Sequence, residues 1–175
     1  KDVDLVRLSD VAMRPVKWLW PGRVPFGKIT LIAGHPGLGK SQLMCSFASV
    51  VTGGGLWPVD RTECEAGSVI ILSAEDDPED TIGPRLEAAG AHRDRCHLLR
   101  ASIDHDAEGN PISRSWDIST DVDRLGKAAE EIGDAKLIDI DPVSAYLGTR
   151  DARSNAQIRS ALMPLAEMAK SVAAA

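Results

Sequence analysis

Between an apolar run, Lys28–Ala33 (KITLIA), and a helix-compatible run, Ser41–Val51, the sequence reads Gly34-His35-Pro36-Gly37-Leu38-Gly39-Lys40-Ser41. No other feature narrows the possible folds as far. Glycines permit left-handed backbone angles and close approaches that side chains forbid. The spacing fits G-x-x-x-x-G-K-[ST] at every fixed position, and the flanking strand and helix are the context the pattern requires. In such a loop successive backbone N–H groups wrap a phosphate, and the helix N-terminus adds its partial positive charge. Lys40 then reaches the β- and γ-phosphates, while the Ser41 hydroxyl is placed to ligate Mg2+. The candidate phosphate-binding residues are Gly34, His35, Pro36, Gly37, Leu38, Gly39, Lys40, Ser41 and Gln42.

The rest of the chain alternates in the same way. Ser68–Ser73 (SVIILS) is a continuous apolar run of the kind found in parallel sheets covered on both faces. Cys96–Arg100 and Leu137–Asp141 are the third and fourth strand candidates. Asp77 caps a helix opening at Pro78, broken or kinked at Gly83-Pro84 and stopping at Gly90. Ser102–Ser115 is polar with a turn at Glu108-Gly109-Asn110-Pro111, predicting a surface loop or small hairpin. Thr120-Asp121-Val122-Asp123 resembles a capping box for a helix ending near Gly133. Ser154-Asn155-Ala156-Gln157 opens another, bent at Pro164, with Ile158, Ala161, Leu162, Leu165 and Met168 on one face. Alternating strands and helices predict an α/β fold with a mainly parallel sheet flanked by helices.

Composition sets bounds. With 175 residues, 43% apolar and 26% charged, the chain suits one domain or part of a larger one and is not disordered. No run approaches the roughly 18–20 apolar residues of a membrane helix, and the first residues hold no secretory segment. The three cysteines, Cys45, Cys64 and Cys96, are odd in number and suit a reducing cytoplasm. A net charge of −6 argues against a static nucleic-acid clamp built by this segment alone.

A phosphate loop needs an acidic metal partner at the end of a buried strand. Asp141 is preferred, because it ends its strand where α/β ligands bind. The alternative makes Asp139 the metal-side residue and leaves Asp141 to cap the loop. Asp139 is anomalous in either case, since an acid in mid-strand is costly unless paired. Hydrolysis also needs a group that orients water. Glu75, just beyond the second strand, fills that role, whereas Asp76, Asp77, Glu79 and Asp80 read as capping or solvated charges. His92, Cys96 and His97 lack the spacing of a zinc site, and Arg150 and Arg153 read as solvated loop residues, the alternative being that they face a neighbouring subunit or DNA.

Several segments together resemble one branch of the RecA-like ATPases, that of the RepA-type hexameric replicative helicases and plasmid or phage primase–helicase modules. They are Trp18-Leu19-Trp20-Pro21-Gly22, the Gly34–Ser41 loop, Thr52-Gly53-Gly54, Trp57-Pro58, Leu72–Asp77, Arg85-Leu86 and Asp141–Gly148. The resemblance implies a RecA-like core at residues 28–175 behind a lead-in at 1–27. It implies ATP and Mg2+ as ligands, Lys40 and Glu75 as catalytic residues, Ser41 and Asp141 on the metal, and Arg85 against the adenine. It further implies a homo-oligomeric ring, a hexamer in that branch, acting on single-stranded DNA in the cytoplasm and not at a membrane. Its DNA-contacting loops would lie beyond Ala175. In that branch the strand after the Asp141 strand lies between it and the phosphate-loop strand, so this chain is expected to be the N-terminal piece of a longer protein. Trp18 and Trp20 are expected either to prop the sheet edge or to touch nucleotide. The rival reading is a RecA-like regulatory or assembly switch that unwinds nothing.

Overall fold

The computed structural model describes residues 3–148 and 155–175; Arg150, Arg153 and Ser154 lie outside the described residues. Its elements are β1 (Trp18–Trp20), β2 (Val24–Pro25), α1 (Lys40–Gly53), β3 (Ser68–Ser73), α2 (Gly83–Ala88), β4 (Cys96–Leu98), β5 (Ser102–His105), β6 (Pro111–Arg114), α3 (Val122–Ile132), β7 (Ala135–Asp141) and α4 (Asn155–Ser171). The central sheet is parallel, in the order β4-β3-β7. Side chains of β3 alternate between two cores, as the period of an extended strand requires. Val69 and Ile71 join Leu137 of β7 and Phe47, Ala48 and Val51 of α1 in one core. Ile70 and Leu72 face the other core, with Leu125 and Ala129 of α3 and Ala161, Leu165 and Met168 of α4. Being covered on both faces explains why β3 reads as an unbroken apolar run.

The lead-in contributes the β1–β2 hairpin, in which Leu19, Trp20 and Val24 are buried. Trp20 stacks on Trp57 with ring centroids 4.5 Å apart, and both meet Phe47 edge to face. The Trp57 indole N–H donates to the Leu19 carbonyl at 2.9 Å, and that of Trp20 to Asp60 at 2.9 Å. These tryptophans prop the sheet from below α1. Of the two expectations for Trp20, the packing one is what the structure displays; Trp18 stays exposed.

The run Lys28–Ala33 forms no strand. A strand exists only with a partner, and the nearest candidate edge, that of β7, lies across a cavity of about 250 Å³ lined by Ile29, Leu31, Ile32, Ile138, Ile140 and Leu165 among others. Ala174 and Ala175 enter the near end of this gap. Gly27 N–H donates to the Ala174 carbonyl at 2.8 Å, Ala175 N–H to that of Lys136 at 3.0 Å, and Ile138 N–H to that of Ala175 at 2.9 Å. The last two bonds are the pattern of a parallel ladder with Ala175 beside Leu137.

Other local differences have local causes. Pro78–Ile82 is a π-helical turn that hands over to α2 at Gly83, so Pro84 falls in the first turn of α2, where its missing N–H costs nothing. Helix α4 runs through Pro164 without interruption. Residues 102–114 form the expected hairpin, β5 against β6, closed by Asp106 accepting from the Glu108 and Asn110 amides. The capping box at Thr120 does not form. Helix α3 starts at Val122, and the Asp121 side chain caps nothing because Arg114 has taken it.

That diversion builds an ion-pair network. Asp121 is buried, accepts from Arg114 Nη1 at 2.6 Å and Nη2 at 2.7 Å, and also takes the Asp117 amide at 2.9 Å. Arg114 and Arg124 both reach Asp104, at 2.6 Å each, so the hairpin is clamped to α3. Hydrogen bonds from Arg114 hold the Asp121 carboxyl down at about 2, against the desolvation that raises it. Because its folded pKa lies below the ordinary value, the stabilisation is complete above about pH 4 and is lost as pH falls through about 2. Asp121→Ala is expected to cost about 2–3 kcal/mol at pH 7, discounted for the partial exposure of Arg114. The difference between variant and wild type should shrink on approaching pH 2, as read by denaturant titration at several pH values.

Candidate phosphate and metal site

The loop at residues 34–39 is exposed in its entirety and feeds directly into α1. Gly37 and Gly39 adopt φ of +81° and +80°, the left-handed region that a side chain resists. A Cβ built on either would meet no protein atom within 4 Å, so the cradle in front of them is open. Gly39 is the N-cap of α1 and offers no side-chain cap, which leaves the first-turn amides of Lys40, Ser41 and Gln42 without side-chain acceptors. Lys40 folds back over the loop, its Nζ donating to the carbonyls of Gly34 at 3.0 Å and His35 at 3.2 Å. The His35, Pro36 and Leu38 side chains line the rim and bury nothing; Leu38 is 70% exposed.

Across the sheet end, the Ser41 hydroxyl donates to Asp141 Oδ2 at 2.6 Å, joining residues 100 positions apart. The bond places the first turn of α1 against the C-terminal end of β7. Asp139 lies one pleat below Asp141 on the face shared with Leu137, toward α1. Burial, then the neighbouring Asp141 charge, pushes its carboxyl up to about 7. The mid-strand acid is therefore the costly group its position predicts, and no hydrogen bond reaches its carboxylate among the described residues. Of the two acids, Asp141 is the one brought to Ser41.

Strand β3 ends beside β7, with Ser73 opposite Asp141 and the Ala74 amide donating to the Asp141 carbonyl at 3.2 Å. Glu75 follows at once and is exposed at the same sheet end as the loop. Asp77 caps the π-helical turn by accepting from the Glu79 and Asp80 amides. Arg85, the first basic residue of α2, is paired with Asp76 at 2.7 Å and lines a small cavity with Ser41, Asp139 and Asp141. Thus Lys40, Ser41, Asp141, Glu75 and Arg85 converge on one end of the sheet.

A family model described as an AAA domain matches residues 1–175, the whole chain. The chain belongs to that AAA domain family. No curated protein matches it. Its membership is of the P-loop ATPase type, in keeping with the parallel sheet flanked by helices and with the Gly34–Ser41 loop. Among the described residues of this AAA domain, no helix is long and apolar enough to cross a membrane, and no group of three or more His, Cys, Asp or Glu side chains is placed to hold a metal. The donor set at Ser41 and Asp141 is of another kind. One hydroxyl and one carboxylate oxygen are hard ligands of the kind Mg2+ takes, so these two residues fit that ion.

One contact in the AAA domain escaped the sequence. Asp76 read as a solvated charge, whereas it holds Arg85. The nine-residue separation spans a π-helical turn, so neither the helical i,i+4 rule nor strand alternation signals it.

Proposed function

We propose that this chain is the N-terminal part of a RecA-like ATPase domain, residues 28–175 behind the lead-in 1–27, and that the domain drives a RepA-like replicative helicase. It would hydrolyse ATP as a homo-oligomeric ring, a hexamer, and move on single-stranded DNA through segments beyond this chain. The observation that carries the ATPase part is the 2.6 Å contact of Ser41 with Asp141, with Glu75 on the adjacent strand end. The helicase part rests on the sequence resemblance that runs from Trp18 to Gly148. The gap beside β7 supports the RecA-like topology. Its two sides are the phosphate-loop run and the Asp141 strand, and Ala174–Ala175 bond to Gly27, just before that run, and to β7. The three free cysteines suit a reducing cytoplasm.

In this reading Lys40 exchanges its bonds to the Gly34 and His35 carbonyls for phosphate oxygens, and the amides of the loop and first turn of α1 take the rest. Ser41 and Asp141 would hold Mg2+, which would supply charge neutralisation at the phosphates. Glu75 orients a water in line with the γ-phosphate and accepts its proton. Arg85, on α2, would lie against the adenine, as the sequence resemblance implies.

Steady-state ATPase of the intact gene product tests this. Lys40→Ala and Glu75→Gln should each lower turnover by at least about a hundredfold. Only Glu75→Gln should leave ATP binding within a few-fold of wild type. Wild-type turnover in either variant contradicts the assignment. Hydrogen exchange on the same protein tests the topology: the Ile29, Leu31 and Ile140 amides, facing the gap by strand alternation, should be protected. Fast exchange at all three contradicts a filled sheet.

A further inference from the structure

Glu75, Asp76 and Asp77 are three consecutive acids leaving β3. Two of them have tasks that the structure makes explicit. Asp77 accepts from the Glu79 amide at 2.8 Å and fixes the start of the π-helical turn. Asp76 accepts from Arg85 Nη1 at 2.7 Å, across that turn, and so ties the segment to α2. Leu86, next to Arg85, is buried in the core against α1, which anchors α2. On the other side, Ala74 is hydrogen-bonded to the end of β7. Glu75 therefore sits between two fixed points, Ala74 on the sheet and Asp76 on α2, while its own side chain is exposed. Ala74, Glu75 and Asp76 form a bend between the end of β3 and the π-helical turn. A hold on Asp76 thus restrains the torsions that aim Glu75.

We infer that Asp76 is a positioning residue, which through its ion pair with Arg85 holds Glu75 in the orientation that serves catalysis. The inference rests on the reading of Glu75 given above. Asp76 itself contacts neither phosphate nor metal in this account. Its loss should therefore lower kcat and leave the KM for ATP alone. Both partners are partly exposed, with side-chain exposures of 29% for Asp76 and 43% for Arg85. Exposed pairs of this kind are weak, so the expected effect is about fivefold and not a hundredfold.

The experiment measures kcat and KM for ATP in the intact gene product carrying Asp76→Asn, Asp76→Glu, Glu75→Gln, and Asp76→Asn with Glu75→Gln. The expected result is kcat about fivefold lower in Asp76→Asn at unchanged KM, with most of it recovered in Asp76→Glu. In the Glu75→Gln background, Asp76→Asn should have no further effect, because the group it positions is gone. An unchanged kcat in Asp76→Asn, a change confined to KM, or an equal fivefold loss in the Glu75→Gln background overturns the inference. Undiminished turnover in Glu75→Gln alone overturns instead the reading of Glu75 on which it rests. An unshifted thermal midpoint for Asp76→Asn separates lost positioning from lost folding.

Discussion

The hydrogen bond from Ser41 to Asp141 is the contact on which the arrangement of this molecule turns. It fixes the first turn of α1 over the C-terminal end of β7, and with it the direction in which the glycine loop opens. Everything beneath serves to hold those two ends in place. Trp20 and Trp57 pack on Phe47 in the middle of α1, and the parallel β3–β7 ladder carries Ser73 and Asp141 to the same level. α/β sheets present ligands at the C-terminal ends of their strands, so a loop, an acid and a glutamate from three elements meet there without any of them being close in sequence.

Polar groups are distributed unequally between the two cores. On the α1 face, Asp139 is desolvated in mid-strand and its carboxyl is driven up toward neutrality. On the α3 side, Asp121 is buried as well, yet two nitrogens of Arg114 hold its carboxyl down. The two differ in their partners. A buried carboxylate with a guanidinium fork stays ionised, and one without a partner moves toward the protonated form. Asp139 is thus a local expense within the very strand that carries Asp141.

What the sequence made legible follows from how local each signal is. The glycine loop, the apolar run of β3, the hairpin at 102–114 and the position of Asp141 at a strand end are all written in contiguous residues. The run Lys28–Ala33 is legible as apolar but forms no strand, because its partner is non-local and β7 lies across the cavity beside it. Asp121 was read as part of a capping box because its spacing fits one. Arg114, seven residues earlier on β6, outcompeted the helix end through two charge-assisted bonds. The Trp20–Trp57 stack and the Asp76–Arg85 pair depend on how elements dock, so no periodicity announces them.

The proposed ATPase function requires Ser41 and Asp141 to act as one metal-holding pair. Calorimetric titration of the intact gene product with ATP, with and without Mg2+, measures this directly. The result expected is tighter binding of Mg2+-ATP than of metal-free ATP. Ser41→Ala and Asp141→Asn should each abolish that difference, their combination should add nothing further, and Asp139→Asn should preserve it. Equal affinities in the wild-type protein, or a metal dependence that survives Asp141→Asn, would contradict it.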